Sequence, residues 1–172
     1  YGGDYNPNQW PCEVWGEDMR LFKKAHINSA TVNVFSWAKI QPLEKVYDFR
    51  ELDDIIEMFI RENMAIVLAI ATAVLPAWMF KRYPEVGRTD FEGRRHKFGR
   101  RHCACPNSPV YQKYARRLAP KLAERYGNHE NVICWHVNHE YGGECYCGNC
   151  EAAFRAWPKN NYHPPHALNQ SG

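Results

Sequence analysis

Two groups of side chains in this sequence have the types and spacing to do chemistry. The first is a single carboxylate, Glu140, which follows the apolar run VICWHV at 132–137 by three residues. A strand ending there projects Glu140 from its carboxyl end. A carboxylate in that place is costly without a role or a partner, and an apolar, aromatic setting would raise its pKa toward that of a general acid at neutral pH. The competing reading is a structural ion pair with a nearby arginine. The second group is Cys145, Cys147 and Cys150, spaced C-x-C-x2-C. Three thiolates that close can share one ion, and zinc takes four ligands in a tetrahedron. The fourth ligand must come from elsewhere, with Cys105, Cys103 and His102 as candidates. The alternatives are unligated thiols, or disulfides in an oxidising compartment. Seven cysteines, three of them in one run, argue against a simple disulfide framework. Cys12 and Cys134 read as ordinary buried thiols.

These groups need elements to position them. Four segments read as buried strands: Gly2 to Tyr5, Ser29 to Phe35, Ala65 to Ala71 and Val132 to Val137. Near-continuous apolar runs of this length suit parallel strands covered on both faces. Helical stripes lie between them. Glu13 to His26 carries Val14, Met19, Leu21, Phe22 and Ala25, and Phe49 to Asn63 carries Leu52, Ile55, Ile56, Phe59 and Ile60. Ser108 to Tyr126 opens with a serine cap and Pro109 in the first turn, and Pro120 inside it should kink the helix. A last helix is expected over Asn149 to Lys159, cut by Pro158. The order β-α-β-α-β-α-β-α means a doubly wound sheet or a (β/α)8 barrel, and periodicity does not choose between them. In both, function sits on the loops after the carboxyl ends of the strands.

Those loops begin with polar and aromatic residues: Asp4 to Trp10, Phe35 to Trp37, Thr72 to Trp78 and Asn138 to Gly143. Clefts for sugars use such a mixture, with flat rings against the sugar face and polar groups for its hydroxyls. Each Trp taken singly reads as packing; together on one rim they favour a binding cleft. The basic run Arg94 to Arg101 reads as a solvated loop at Arg94, Arg95 and Lys97. As a nucleic-acid patch its aromatic interleaving is thin, and a net charge of +3 adds little. The longest apolar stretch, Ala65 to Phe80, is short for a membrane span and contains Pro76. Tyr1 to Trp10 is polar and glycine-rich, unlike a signal peptide, so a cytoplasmic protein is expected. The first residue is Tyr and not Met, which suits a trimmed or partial chain.

Five motifs in order, GGDYNPNQW at 2–10, VNVFSWAKIQP at 32–42, ATAVLPAWM at 71–79, RRHCACPNSP at 100–109 and WHVNHEYGGECYCGNC at 135–150, resemble the β-galactosidases of glycoside hydrolase family 42. A weaker match follows at Ala167-Leu168-Asn169. The resemblance covers nearly the whole chain. It implies a (β/α)8 TIM barrel of which residues 1–172 supply the first four βα units of the catalytic domain. It also implies retaining hydrolysis of terminal β-D-galactosyl residues, with Glu140 as the acid/base at the end of the fourth strand. Arg101 resembles an arginine that contacts substrate. His139 stands where the family has an Asn that binds the sugar beside the nucleophile. Cys105 matches the family's metal-linked cysteine, so Cys105, Cys145, Cys147 and Cys150 are implied to hold a structural zinc. The family's nucleophile is a Glu on the seventh strand, with no matching position in these 172 residues, so this chain alone is expected to turn over nothing. The implied partners are a β-galactoside oligosaccharide or glycoside, with no nucleic acid and no membrane, and a homotrimer for the full-length protein. The alternatives are a zinc-stabilised binding module that contacts nucleic acid, or a barrel glycosidase of other sugar specificity.

Overall fold

Strand and helix alternate along the chain, and every strand lies parallel to its neighbour. The computed structural model describes residues 1–99 and 101–161. The strands are β1 (Gly2–Asp4), β2 (Ser29–Val32), β3 (Ala65–Ala69) and β4 (Val132–His136). The helices are α1 (Trp15–Lys24), α2 (Trp37–Ile40), α3 (Arg50–Arg61), α4 (Ala77–Arg82), α5 (Pro109–Tyr126) and α6 (Gly148–Asn161). The sheet runs β1-β2-β3-β4, in sequence order. Unbroken order with a helix at each crossover is what a barrel requires, whereas a doubly wound sheet reverses its order at a switch point.

Local chemistry explains the helix bounds. Ser108 Oγ accepts the Tyr111 backbone N–H at 3.4 Å, and Pro109 occupies the first turn, so α5 starts there. Pro120 lies inside α5 without ending it: the helix continues through it to Tyr126. The cut expected at Pro158 does not occur: α6 runs through it to Asn161. In α3, Leu52, Ile55, Ile56 and Phe59 are buried, at helical spacing, against the sheet. Its Asp53 faces the other way, toward α5. Arg125 grips that carboxylate with two bonds, Nε to Oδ1 at 2.7 Å and Nη2 to Oδ2 at 2.6 Å, and Tyr126 Oη donates to Oδ1 at 2.7 Å. Burial would push the Asp53 carboxyl up, but Arg125 and Tyr126 outweigh it and hold it below its usual value. A second node is Glu44, which accepts from the Tyr83 hydroxyl at 2.9 Å, from the Tyr114 hydroxyl, and from Arg82 at 2.7 Å. It joins the turn after α2 to α4 and α5.

Burial departs from the sequence expectation at the two outer strands. Ala30, Val32, Ile66 and Leu68 are buried between sheet and helices. β1 is exposed throughout, and in β4 Ile133 and Cys134 are exposed, with Val137 exposed just beyond its end. Strands covered on both faces need an element on each side, and among the described residues none covers the outer edge of β4. Cys134 shares this exposure, and Cys12, in the turn before α1, is exposed too. Neither is a buried thiol.

Candidate active site and cysteine cluster

The carboxyl ends of the strands gather the polar side chains. After β2, Asn33 takes a positive φ of 71° and its amide donates to Ala69 O at 2.7 Å, tying the ends of β2 and β3 together. After β4, the His139 backbone N–H donates to Asn138 Oδ1 at 2.7 Å, and Glu140 follows at φ 46°. Left-handed backbone costs a non-glycine residue roughly 1–2 kcal/mol, so Glu140 holds that turn only because its surroundings impose it.

Three expected side chains meet here. Arg101 Nη1 lies 2.8 Å from Glu140 Oε2 and 3.0 Å from His139 Nε2, and the His139 and Glu140 groups are 3.7 Å apart. An arginine only donates, so His139 Nε2 is the acceptor and the ring proton sits on Nδ1. His139 is well covered, edge-on to Phe35 at 5.2 Å and to His136 at 5.7 Å between ring centres. Glu140 is not: its side chain is 63% exposed, so the apolar enclosure expected from the sequence is not present among the described residues. Its partner Arg101 holds it in place instead. His102, next in sequence, has a buried Nε2 with no hydrogen-bond partner among the described residues, and its pKa is lowered, first by burial and then by Arg88 and Arg101.

The rim tryptophans divide. Trp37 is fully buried and donates to Gln41 Oε1 at 2.9 Å. Trp78 donates to Gln41 O at 2.8 Å and packs edge-on against Tyr114. Both are packing residues and not platforms for a ligand; Trp10, 62% exposed, is the one loop Trp left open. The loop that carries it is tied to its neighbour by Asn8 Nδ2 donating to Ser36 Oγ at 2.9 Å. A cavity of about 320 Å³ lies nearby, lined by Tyr111 and Ala115 of α5 together with Arg88, His102, Asn138 and Tyr141; neither Arg101 nor Glu140 reaches it. Of the residues around this group, Phe35 belongs to a loop the sequence points to, and Arg88 is the one it does not mark. A lone arginine in a loop carries no pattern of its own.

Five residues after Glu140 the cysteines begin. The sulfurs of Cys105, Cys145, Cys147 and Cys150 all lie within 4.8 Å of one another. Cys105 Sγ is 3.4 Å from Cys147 Sγ and 3.5 Å from Cys150 Sγ. Four thiolates around zinc at about 2.3 Å stand about 3.8 Å apart in a tetrahedron, so the spacing fits such an ion. Cys103 and His102, the other candidates for the fourth position, stay outside the cluster. Burial pushes the Cys105 thiol up, with the neighbouring sulfurs adding to it. Burial acts the same way on Cys147, but the Cys150 backbone N–H and the thiols of Cys105 and Cys145 outweigh it and bring Cys147 down to about 7. Asn107 Nδ2 donates to Cys150 Sγ at 3.3 Å, a contact from the surrounding shell.

Residues 4–171 match the model of glycoside hydrolase family 42, described as beta-galactosidase. The chain belongs to that family. It is 52% identical over 171 residues to the beta-galactosidase LacZ of Lactobacillus acidophilus, covering 99% of this chain and 26% of that protein. It is 53% identical over 172 residues to the beta-galactosidase BgaP of a Planococcus species, covering 99% of this chain and 25% of that one. The solved beta-galactosidase of Bacillus circulans superposes with a TM-score of 0.92 at 59% identity, over 99% of this chain and 25% of the other. The chain thus spans about a quarter of the length of the relatives it matches. Its four parallel strands are the first βα units of this family's (β/α)8 barrel. Arg100 and the motif at Ala167-Leu168-Asn169 lie outside the described residues.

Proposed function

We propose that residues 1–172 are the first half of a catalytic barrel that hydrolyses terminal β-D-galactosyl residues with retention, and that Glu140 is its acid/base. The observation that carries this reading is the meeting of Glu140, Arg101 and His139 at the carboxyl end of β4, in a member of this family. Retention takes two carboxyl groups roughly 5–5.5 Å apart. One attacks the anomeric carbon while Glu140 gives its proton to the departing glycosidic oxygen; Glu140 then takes a proton from the water that frees the sugar. To donate, Glu140 must be uncharged, and an uncharged carboxyl no longer holds the ion pair with Arg101. Arg101 then turns to the sugar hydroxyls, beside His139. The attacking carboxylate comes from outside these 172 residues, so this chain by itself turns over no galactoside.

Cys105, Cys145, Cys147 and Cys150 hold a zinc ion in this reading. All four ligands are protein thiolates, which leaves no open position, and the ion's part is structural. It fastens the segment after β3 to the segment after Glu140. Elemental analysis of protein purified without chelator should find one zinc per chain, and metal-free, fully folded protein would count against it.

Nucleic-acid binding is the weaker reading. Arg94 pairs with Asp90 and Glu92, at 2.9 Å each, so the basic run is partly neutralised within its own loop. The full-length protein is read as a cytoplasmic homotrimer with no membrane partner; no described helix is long and apolar enough to cross a membrane. In the full-length enzyme, Glu140→Gln should lower turnover of an alkyl β-galactoside by about 10²–10⁴-fold, the usual worth of a positioned proton donor. Wild-type turnover in that variant would remove Glu140 from the chemistry.

A further inference from the structure

Arg88 is nine-tenths buried, and among the described residues it makes no ion pair. Its guanidinium is directed at two backbone carbonyls on separate segments. Nε donates to Ala104 O at 2.9 Å, beside Cys105, and Nη1 donates to Gly142 O at 2.5 Å, two residues past Glu140. A buried cation committed to carbonyls makes charge-assisted bonds, stronger than neutral ones and lost at high cost.

The root of this side chain is held as firmly as its tip. The Arg88 N–H donates to Cys103 O at 2.8 Å, and Cys105 N–H donates to Val86 O at 2.7 Å. The next residue, Thr89, accepts from the Tyr146 N–H at 2.9 Å. Residues 88 and 89 therefore hold the loop 141–146 at two points. Gly143, at φ 73°, lets the chain pass the guanidinium closely: a Cβ there would sit 2.4 Å from Arg88 Nη1. Glu140 keeps its left-handed backbone at the head of this loop.

We propose that Arg88 is a positioning residue for the acid/base carboxylate, its bond to Gly142 O fixing the turn that aims Glu140. It touches no reacting atom. This rests on the reading of Glu140 as the proton donor. Misplacing a catalytic group by an ångström costs about 10²-fold, and the loss falls only on substrates that need the proton.

The test measures kcat/KM in the full-length enzyme for two β-galactosides. One has an alkyl leaving group, which must be protonated; the other has a 2,4-dinitrophenyl group, which leaves as a stable anion. Arg88→Met should lose about tenfold or more on the alkyl substrate and less than about twofold on the dinitrophenyl one. Arg88→Lys keeps the charge and should recover part of that loss. Gly143→Ala, which leaves Arg88 in place but crowds it, should show the same split, and it carries the test if Arg88→Met fails to fold. Equal losses on both substrates, or none on either, overturn the proposal, because a purely structural role lowers both together. Glu140→Gln runs beside them. If that variant shows no split, the acid/base reading itself has failed; if it shows one and neither Arg88→Met nor Gly143→Ala does, only the role of Arg88 has.

Discussion

Arg101 Nη1 faces His139 and Glu140 at once, and this makes the histidine's tautomer part of the site. With its proton on Nδ1, His139 Nε2 can only accept, and Arg101 already occupies that atom. An amide at the same position can both donate and accept. His139→Asn in the full-length enzyme should therefore lower KM for a galactoside by about threefold to tenfold, the worth of one hydrogen bond. An unchanged or higher KM would show that the imidazole suits the sugar as it stands. At this scale the sequence was informative where residue type and spacing coincide. Glu140 after an apolar run and the C-x-C-x2-C run both marked themselves. Arg88 did not, because a lone arginine in a loop has no pattern; its partners are carbonyls, which every residue has. The solvent exposure of Glu140 was not readable either, since it depends on how far the loop after β4 stands from the elements around it.

The positions of strands and helices were legible because burial on a sheet and on a helix leaves different periods in a sequence, whereas the order of the strands in the sheet was not. All four strands and the four long helices lie where the apolar pattern placed them, with ends shifted by a few residues. The short helices α2 and α4 were hidden, as a single turn or two has no period to detect. Trp37 and Trp78 looked like rim residues for the same reason: the turns that carry them fold inward, and Gln41 receives both indole N–H groups. The clamp between α3 and α5 gives a test at this scale. Because the folded Asp53 carboxyl is held below its unfolded value, its contribution is complete above the unfolded pKa and disappears as pH falls through the lowered one. Arg125 is half exposed, which screens the pair. Asp53→Asn should lower stability by about 1 kcal/mol at pH 7, and the gap should close on acidification below the usual carboxylate range. A gap that stayed constant with pH would mean the carboxylate's charge contributes nothing.

For the molecule as a whole, several large apolar side chains are left in contact with solvent. Ile133 and Val137 on the β4 side, and Phe154 and Trp157 on α6, stand 52–69% exposed. The relatives are about four times as long as this chain. In the proposed account the remaining strands of the barrel cover these residues and bring the attacking carboxylate opposite Glu140. That arrangement makes a stereochemical statement. If Glu140 is the acid/base, its removal leaves a galactosyl-enzyme that waits for a nucleophile on the β face. The most direct measurement is therefore the product formed by full-length Glu140→Ala with a dinitrophenyl β-galactoside in sodium azide. β-Galactosyl azide together with a rise in rate is the expected result. α-Galactosyl azide would make Glu140 the attacking group, and wild-type hydrolysis with no azide product would place the chemistry elsewhere.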